Sequence, residues 1–169
     1  MLPGDEARGF AFFTLAEARV VAAAAARMFP SDDLGPGAPE AGVVFYIDRA
    51  LAGHDADLAA LYRRGVADLD ARARAAADCP FARAAPETQD AILAALEAEG
   101  SPFFAALLTH TREGMFADPI HGGNRDMVGW KLLGHPGVQM AYGPTDYVPG
   151  ARIERAPRGL ADFLRERGA

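Results

Sequence analysis

Two spacings in this chain could carry chemistry. His110 and Glu113 stand one helical turn apart, so both could present ligands on one helix face. A di-iron carboxylate bundle needs Glu-x-x-His on two helices and two further glutamates, whereas here the order is reversed and there is no second copy. The residues therefore read as a hydrogen-bonded core histidine beside a surface acid. Asp118 and His121, three apart, could be drawn as an acid–base dyad. Asp before Pro makes a turn more readily, and no nucleophile or oxyanion donor set lies nearby. His54 and His135 sit at a helix end and a turn, where solvated or capping roles suffice.

Other reactive groups are scarce. The serines are Ser31 and Ser101; neither occupies a G-x-S-x-G elbow, and Ser101 before Pro102 fits a helix cap. The single cysteine, Cys79, can build neither a disulfide, a zinc knuckle, a cysteine-ligated cluster nor a haem attachment. No G-x-G-x-x-G and no G-x-x-x-x-G-K-[ST] run offers a phosphate cradle. The net charge of −6 comes without a basic stripe, which argues against nucleic acid, and the Arg63–Arg74 stretch alternates with Asp68 and Asp70 as a solvated helix face does. The longest apolar run, Val20 to Ala26, is far below the ~20 residues of a membrane span. Asp5 and Glu6 stand where a signal peptide would carry basic residues, so none is read there.

The elements that must position these residues are helical. Half of the 169 residues are hydrophobic, alanine dominates them, and no segment alternates with period two long enough to force a strand. Thr14-Leu15-Ala16-Glu17 is a capping box that opens a helix with Leu15, Ala18, Ala22, Ala25 and Phe29 as its inward stripe, ending at Pro30. A second helix is expected over Glu40 to Ala52, with Val44, Ile47 and Leu51 inward. A third opens at Asp55 or Asp57 and buries Leu58, Tyr62, Val66, Leu69 and Ala73 before Cys79-Pro80. Pro86 starts a fourth with Ile92, Leu93 and Leu96, stopped by Gly100, and Ser101-Pro102 starts a fifth that reaches about Phe116. With Phe103, Phe104, Leu107 and Leu108, the fifth is apolar nearly all round, as a central helix is. A loop from Asp118 to Asn124, with positive φ at its glycines or Asn124, leads to a short helix over Asp126 to Leu133. Four prolines in 135–157 predict an extended arm, and a last helix covers Arg158 to Arg167 on Leu160, Phe163 and Leu164. The reading is an all-α compact bundle of about five to seven helices: residues 1–137 form the bundle with its Gly-rich 114–137 motif, and 138–169 the Pro/Gly-rich arm and terminal helix.

Within that motif stand Asp118-Pro119, Gly122-Gly123-Asn124, Gly129-Trp130-Lys131, Gly134 and Pro136-Gly137. Their spacing resembles the signature of the gluconate 2-dehydrogenase subunit 3 family, the small subunits of flavin-dependent sugar dehydrogenases. The chain departs from it at His121, where the family usually has Tyr, and at His135, where an aromatic residue is common. Thr14-Leu15, the Phe29-Pro30 stop and the apolar helix before the motif are also similar to the family.

The resemblance implies a non-catalytic accessory subunit with no cofactor of its own. Its partner would be a large FAD-containing subunit of the glucose–methanol–choline class, such as a glucoside 3-dehydrogenase or glucose dehydrogenase, with a cytochrome c as a possible electron acceptor. It implies a chaperone-like role in maturation, and a periplasmic complex; a cytoplasmic location is the alternative. The expected partner-binding residues are Met115, Phe116, Asp118, Pro119, Ile120, His121, Gly122, Gly123, Asn124, Trp130, Pro136, Tyr142 and Tyr147. Trp130 could instead be core and the Gly-Gly-Asn loop a structural turn. A stand-alone helical binding module, or a small metal-binding helical enzyme, are the rival readings.

Overall fold

Thr14 opens the bundle as its sequence requires. In the computed structural model, which describes residues 9–150 and 155–168, its hydroxyl accepts from the Glu17 amide and the Glu17 carboxylate accepts from the Thr14 amide. Helix α1 follows (Leu15–Met28). Arg63 of a later helix also pairs with Glu17, so the same carboxylate that caps α1 ties its start to the bundle. The buried face of α1 is Ala18, Val21 and Ala25, widened by Val20 and Ala24. The expected stripe was rotated: Leu15 is exposed, and Ala22 and Phe29 are half-buried. In an alanine run every face is equally small, and the two valines decide which turns inward.

The single helix expected over Glu40–Ala52 is two pieces, α2 (Ala38–Ala41) and α3 (Val43–Ala52). Gly42 between them is left-handed at φ 67°, and a Cβ there would lie 2.4 Å from Arg125 Nε. The side chain of Arg125 thus runs through the notch and covers the Phe45 ring at 3.9 Å. Val43 takes the inward place expected of the half-buried Val44, beside Ile47 and Leu51.

A 3-10 turn (Ala56–Leu58) leads into α4 (Ala59–Ala77), which buries Tyr62, Val66, Leu69 and Ala73 as its spacing predicts. Helix α5 (Pro86–Ala98) buries Ile92, Leu93 and Leu96, and α6 (Pro102–Phe116) starts on a Ser101 hydroxyl that accepts from the Phe104 amide. Helix α6 packs against α1, α2, α3, α4 and α5, so it is the central helix. Its rim is less apolar than expected: Phe104 and Leu108 are half-buried, while Phe103 and Leu107 are fully inward. Gly65 makes room for Phe103, whose ring occupies the place of a Cβ.

Two polar devices hold the core. The Asp48 carboxylate, 4% exposed, accepts from the amides of Ala11, Phe12 and Phe13 at 2.7–2.9 Å, pinning the segment before α1 onto α3. His110 lies between Tyr62 and Asp55: its Nδ1 is 2.7 Å from the Tyr62 hydroxyl and its Nε2 is 3.2 Å from the Asp55 carboxylate. It is the hydrogen-bonded core histidine its position suggested. Burial pushes the Tyr62 phenol well above its ordinary range, with the charges of Asp55 and Glu113 adding to it.

Beyond α6 come 3-10 turns at Pro119–His121 and Arg125–Met127, helix α7 (Val128–Leu133), a 3-10 turn at Pro144–Tyr147 and helix α8 (Leu160–Glu166). Among the described residues there is no strand, only the isolated bridges Asp32/Gly35 and Gly137/Arg158. None of these helices alone is long and apolar enough to cross a membrane.

Candidate docking site

The Asp118–Gly137 segment folds back onto the C-terminal half of α6, and its glycines are there because backbones meet. A Cβ at Gly123 would lie 2.2 Å from the Gly114 carbonyl oxygen, and one at Gly129 would lie 1.9 Å from that of Met115. No side chain fits either place. Asn124, left-handed at φ 45° and 0% exposed, sits at the centre. Its amide donates to the Gly114 carbonyl at 2.7 Å. Its side-chain nitrogen donates to the Ala117 carbonyl at 2.9 Å, and its side-chain oxygen accepts from the Gly129 amide at 2.9 Å. One residue therefore satisfies the main chain of α6, of the loop and of α7. Trp130 adds an indole N–H donated to the Phe116 carbonyl at 2.6 Å, and its ring meets His135 edge-on.

Asp118 caps the next turn, with one carboxylate oxygen accepting from the Ile120 amide at 3.0 Å and the other from the Leu160 amide at 2.7 Å. Both oxygens are thus taken by main-chain donors, and neither serves a dyad with His121, which is exposed. Glu113 accepts from the Tyr46 hydroxyl at 3.0 Å rather than joining His110. Burial, followed by this carboxylate, raises the Tyr46 phenol. Among the described residues no three His, Cys, Asp or Glu side chains converge as metal ligands.

The thirteen residues expected to meet a partner divide sharply. Met115, Gly122, Gly123, Asn124 and Trp130 are buried, so in the chain as it stands they build the loop and offer no surface. Of the two places open to Trp130 the structure shows the core one: its indole closes the loop against α6. Phe116, Asp118, Pro119, Ile120 and Pro136 are half-buried. Phe116 meets the Phe29 ring edge-on, at 5.7 Å between centroids. Only His121, Tyr142 and Tyr147 stand clearly in solvent, the two tyrosines at 62% and 73% exposure.

The structure adds residues that the motif did not mark. Leu132 and Leu133 on α7, Met140 and Val148 in the arm, and Leu160 and Leu164 on α8 are all exposed. Among the described residues, with Tyr142 and Tyr147, they make up every exposed large apolar side chain except Leu15 and Leu34. Leu34 and Leu132 line one groove of about 360 Å³ together with Phe29, Pro30 and Pro36. A second groove, of about 530 Å³, runs between Met140 of the arm and Phe163 of α8.

The family described as Gluconate 2-dehydrogenase subunit 3 matches residues 16–137. The chain belongs to this family. The match spans α1 through α7 and ends at Gly137, where the arm begins. By its description the family is a subunit of a dehydrogenase, so this subunit 3 chain implies a catalytic partner. No curated protein and no solved structure matches it.

Proposed function

We propose that this subunit 3 chain is the non-catalytic small subunit of a heteromeric, FAD-dependent sugar or glycoside dehydrogenase. Its partner is a large flavoprotein of the glucose–methanol–choline class. The complex is periplasmic and can pass electrons to a cytochrome c. The observation that carries the reading is the concentration of exposed large apolar side chains on α7, the arm and α8, from the end of the motif onward in the chain. Exposed apolar surface of that kind marks a protein-binding surface, and Tyr anchors among exposed leucines suit a lasting interface. On this proposal FAD lies in the partner.

Support of the partner follows from mass action. A subunit that binds only the folded flavoprotein at a hundredfold its Kd stabilises it by about 2.7 kcal/mol, without catalysing anything. An interface of about 800 Å² per partner is needed for that. Co-expression with a large flavoprotein of the glucose–methanol–choline class tests the reading. The two should co-elute as one species, and Leu133→Ser with Tyr147→Ser should abolish co-elution while leaving the helical spectrum of this chain unchanged. A flavoprotein that matures equally well and elutes alone would refute it.

A further inference from the structure

Helix α8 is too short to stand by itself and buries no residue fully, so something else fixes it. Its first amide, that of Leu160, is held by Asp118, whose second oxygen holds the Ile120 amide in the turn against which α8 packs. Close by, the Val138 amide donates to the Arg158 carbonyl at 2.8 Å, and the Arg158 amide to the Pro136 carbonyl at 3.2 Å. The start and the end of the arm are therefore fastened at one place, beside the Asp-Pro turn. A loop whose ends meet in this way presents its middle as a fixed surface. Here the described middle carries Met140, Tyr142 and Tyr147.

We infer that Asp118 is a positioning residue: its carboxylate latches α8, and with it the arm beyond the family's matched segment, to the motif, so that α7 and the arm form one docking face for the catalytic subunit. The inference rests on the accessory-subunit reading for its occupant, but not for the latch itself. Charge favours that occupant. Arg155 is paired with Asp146, Arg158 with Glu166 and Arg165 with Asp162, so these cations are compensated within the chain. With those three arginines paired, the exposed leucines and tyrosines of this face suit an apolar protein surface better than nucleic acid or anionic lipid.

Two substitutions cut the same bond from opposite sides. Asp118→Asn leaves one acceptor oxygen for two amide donors, and its NH2 must face one of them. Leu160→Pro deletes the amide at the first position of α8, where proline is tolerated, after a Gly159 whose ψ of 169° is already extended. In hydrogen exchange on the full chain, each variant should speed the α8 amides by about tenfold or more, as the loss of a charge-assisted bond does. The amides of α6 should keep their protection, and the double variant should match the single ones, because all three lose one interaction. Affinity for the co-expressed large flavoprotein should fall about tenfold in each, chiefly through faster dissociation. Unchanged α8 exchange in both variants, or additive effects in the double, overturns the latch. Released α8 with undiminished affinity overturns its part in docking. Wild-type chain that binds no flavoprotein at all refutes the accessory-subunit reading instead, and the exchange data still decide the latch.

Discussion

Replacing Asn124 by alanine removes the residue on which three segments converge. The Gly129 amide, buried and now without an acceptor, costs about 1–3 kcal/mol. The Ala117 carbonyl is half-buried and within reach of water, so its loss is nearer the ordinary net value of about 1 kcal/mol. Alanine must also hold a positive φ, which costs an L-residue roughly 1–2 kcal/mol and asparagine less. The sum, about 3–6 kcal/mol, is a large share of a domain stability of about 5–15 kcal/mol. For a chain of this length it lowers the melting temperature by about ten to twenty degrees. Asn124→Gly separates the causes: glycine accepts the backbone but makes neither side-chain bond, so it should melt above the alanine variant and still well below wild type. Thermal melting followed by helical circular dichroism, with urea titration for the free energy, measures both. Variants within about 1 kcal/mol of wild type, or glycine falling below alanine, would refute the argument that this side chain holds the loop.

Other consequences follow from the core. Asp48→Ala strips the acceptor from three amides and should cost about 3 kcal/mol in urea titration, with the 9–13 segment becoming the first site of proteolysis. Gly65→Ala gains about 1 kcal/mol of helix propensity, but its Cβ would lie 2.1 Å from Phe103 Cγ. Overpacking wins, so the variant should melt lower, and Phe103→Leu in the same chain should restore part of the loss. The Glu17 carboxyl is pushed upward by partial burial, but hydrogen bonds from Arg63 and from the Thr14 amide and hydroxyl outweigh this and hold it below its ordinary 4.5. A carboxyl lowered in the folded state contributes stability that is complete above 4.5 and is lost as pH falls through the folded value. Between about pH 6 and about pH 3, Glu17→Gln should therefore lose less melting temperature than wild type. Equal slopes would contradict the assignment.

Much of this architecture was legible because its helices announce themselves. Thr14 and Glu17, Pro86, Ser101 and Pro102 place three helix starts, and the spacing Tyr62, Val66, Leu69, Ala73 gives the face of α4 correctly. The face of α1 was harder to read, since five successive alanines carry no phase. The break at Gly42 was hidden because its cause is Arg125, far along the chain. In the site, residue types located the loop but not its inside and outside. Asn124 and Trp130 look like surface anchors in text; the Gly129 amide and the Phe116 carbonyl that bury them are main-chain groups, which sequence does not distinguish. The exposed leucines of α7 went unmarked, and Leu160 and Leu164 were expected to anchor the last helix but are exposed, because apolar residues on short helices read first as core.

The most direct test of the account is sugar oxidation with a dye acceptor, measured for this chain alone, for the large flavoprotein alone and for the two co-expressed. The account predicts no turnover from the isolated chain, and more active, FAD-loaded flavoprotein when both are made together. Turnover by the isolated 17.9 kDa chain, or identical flavin loading of the partner without it, would contradict it.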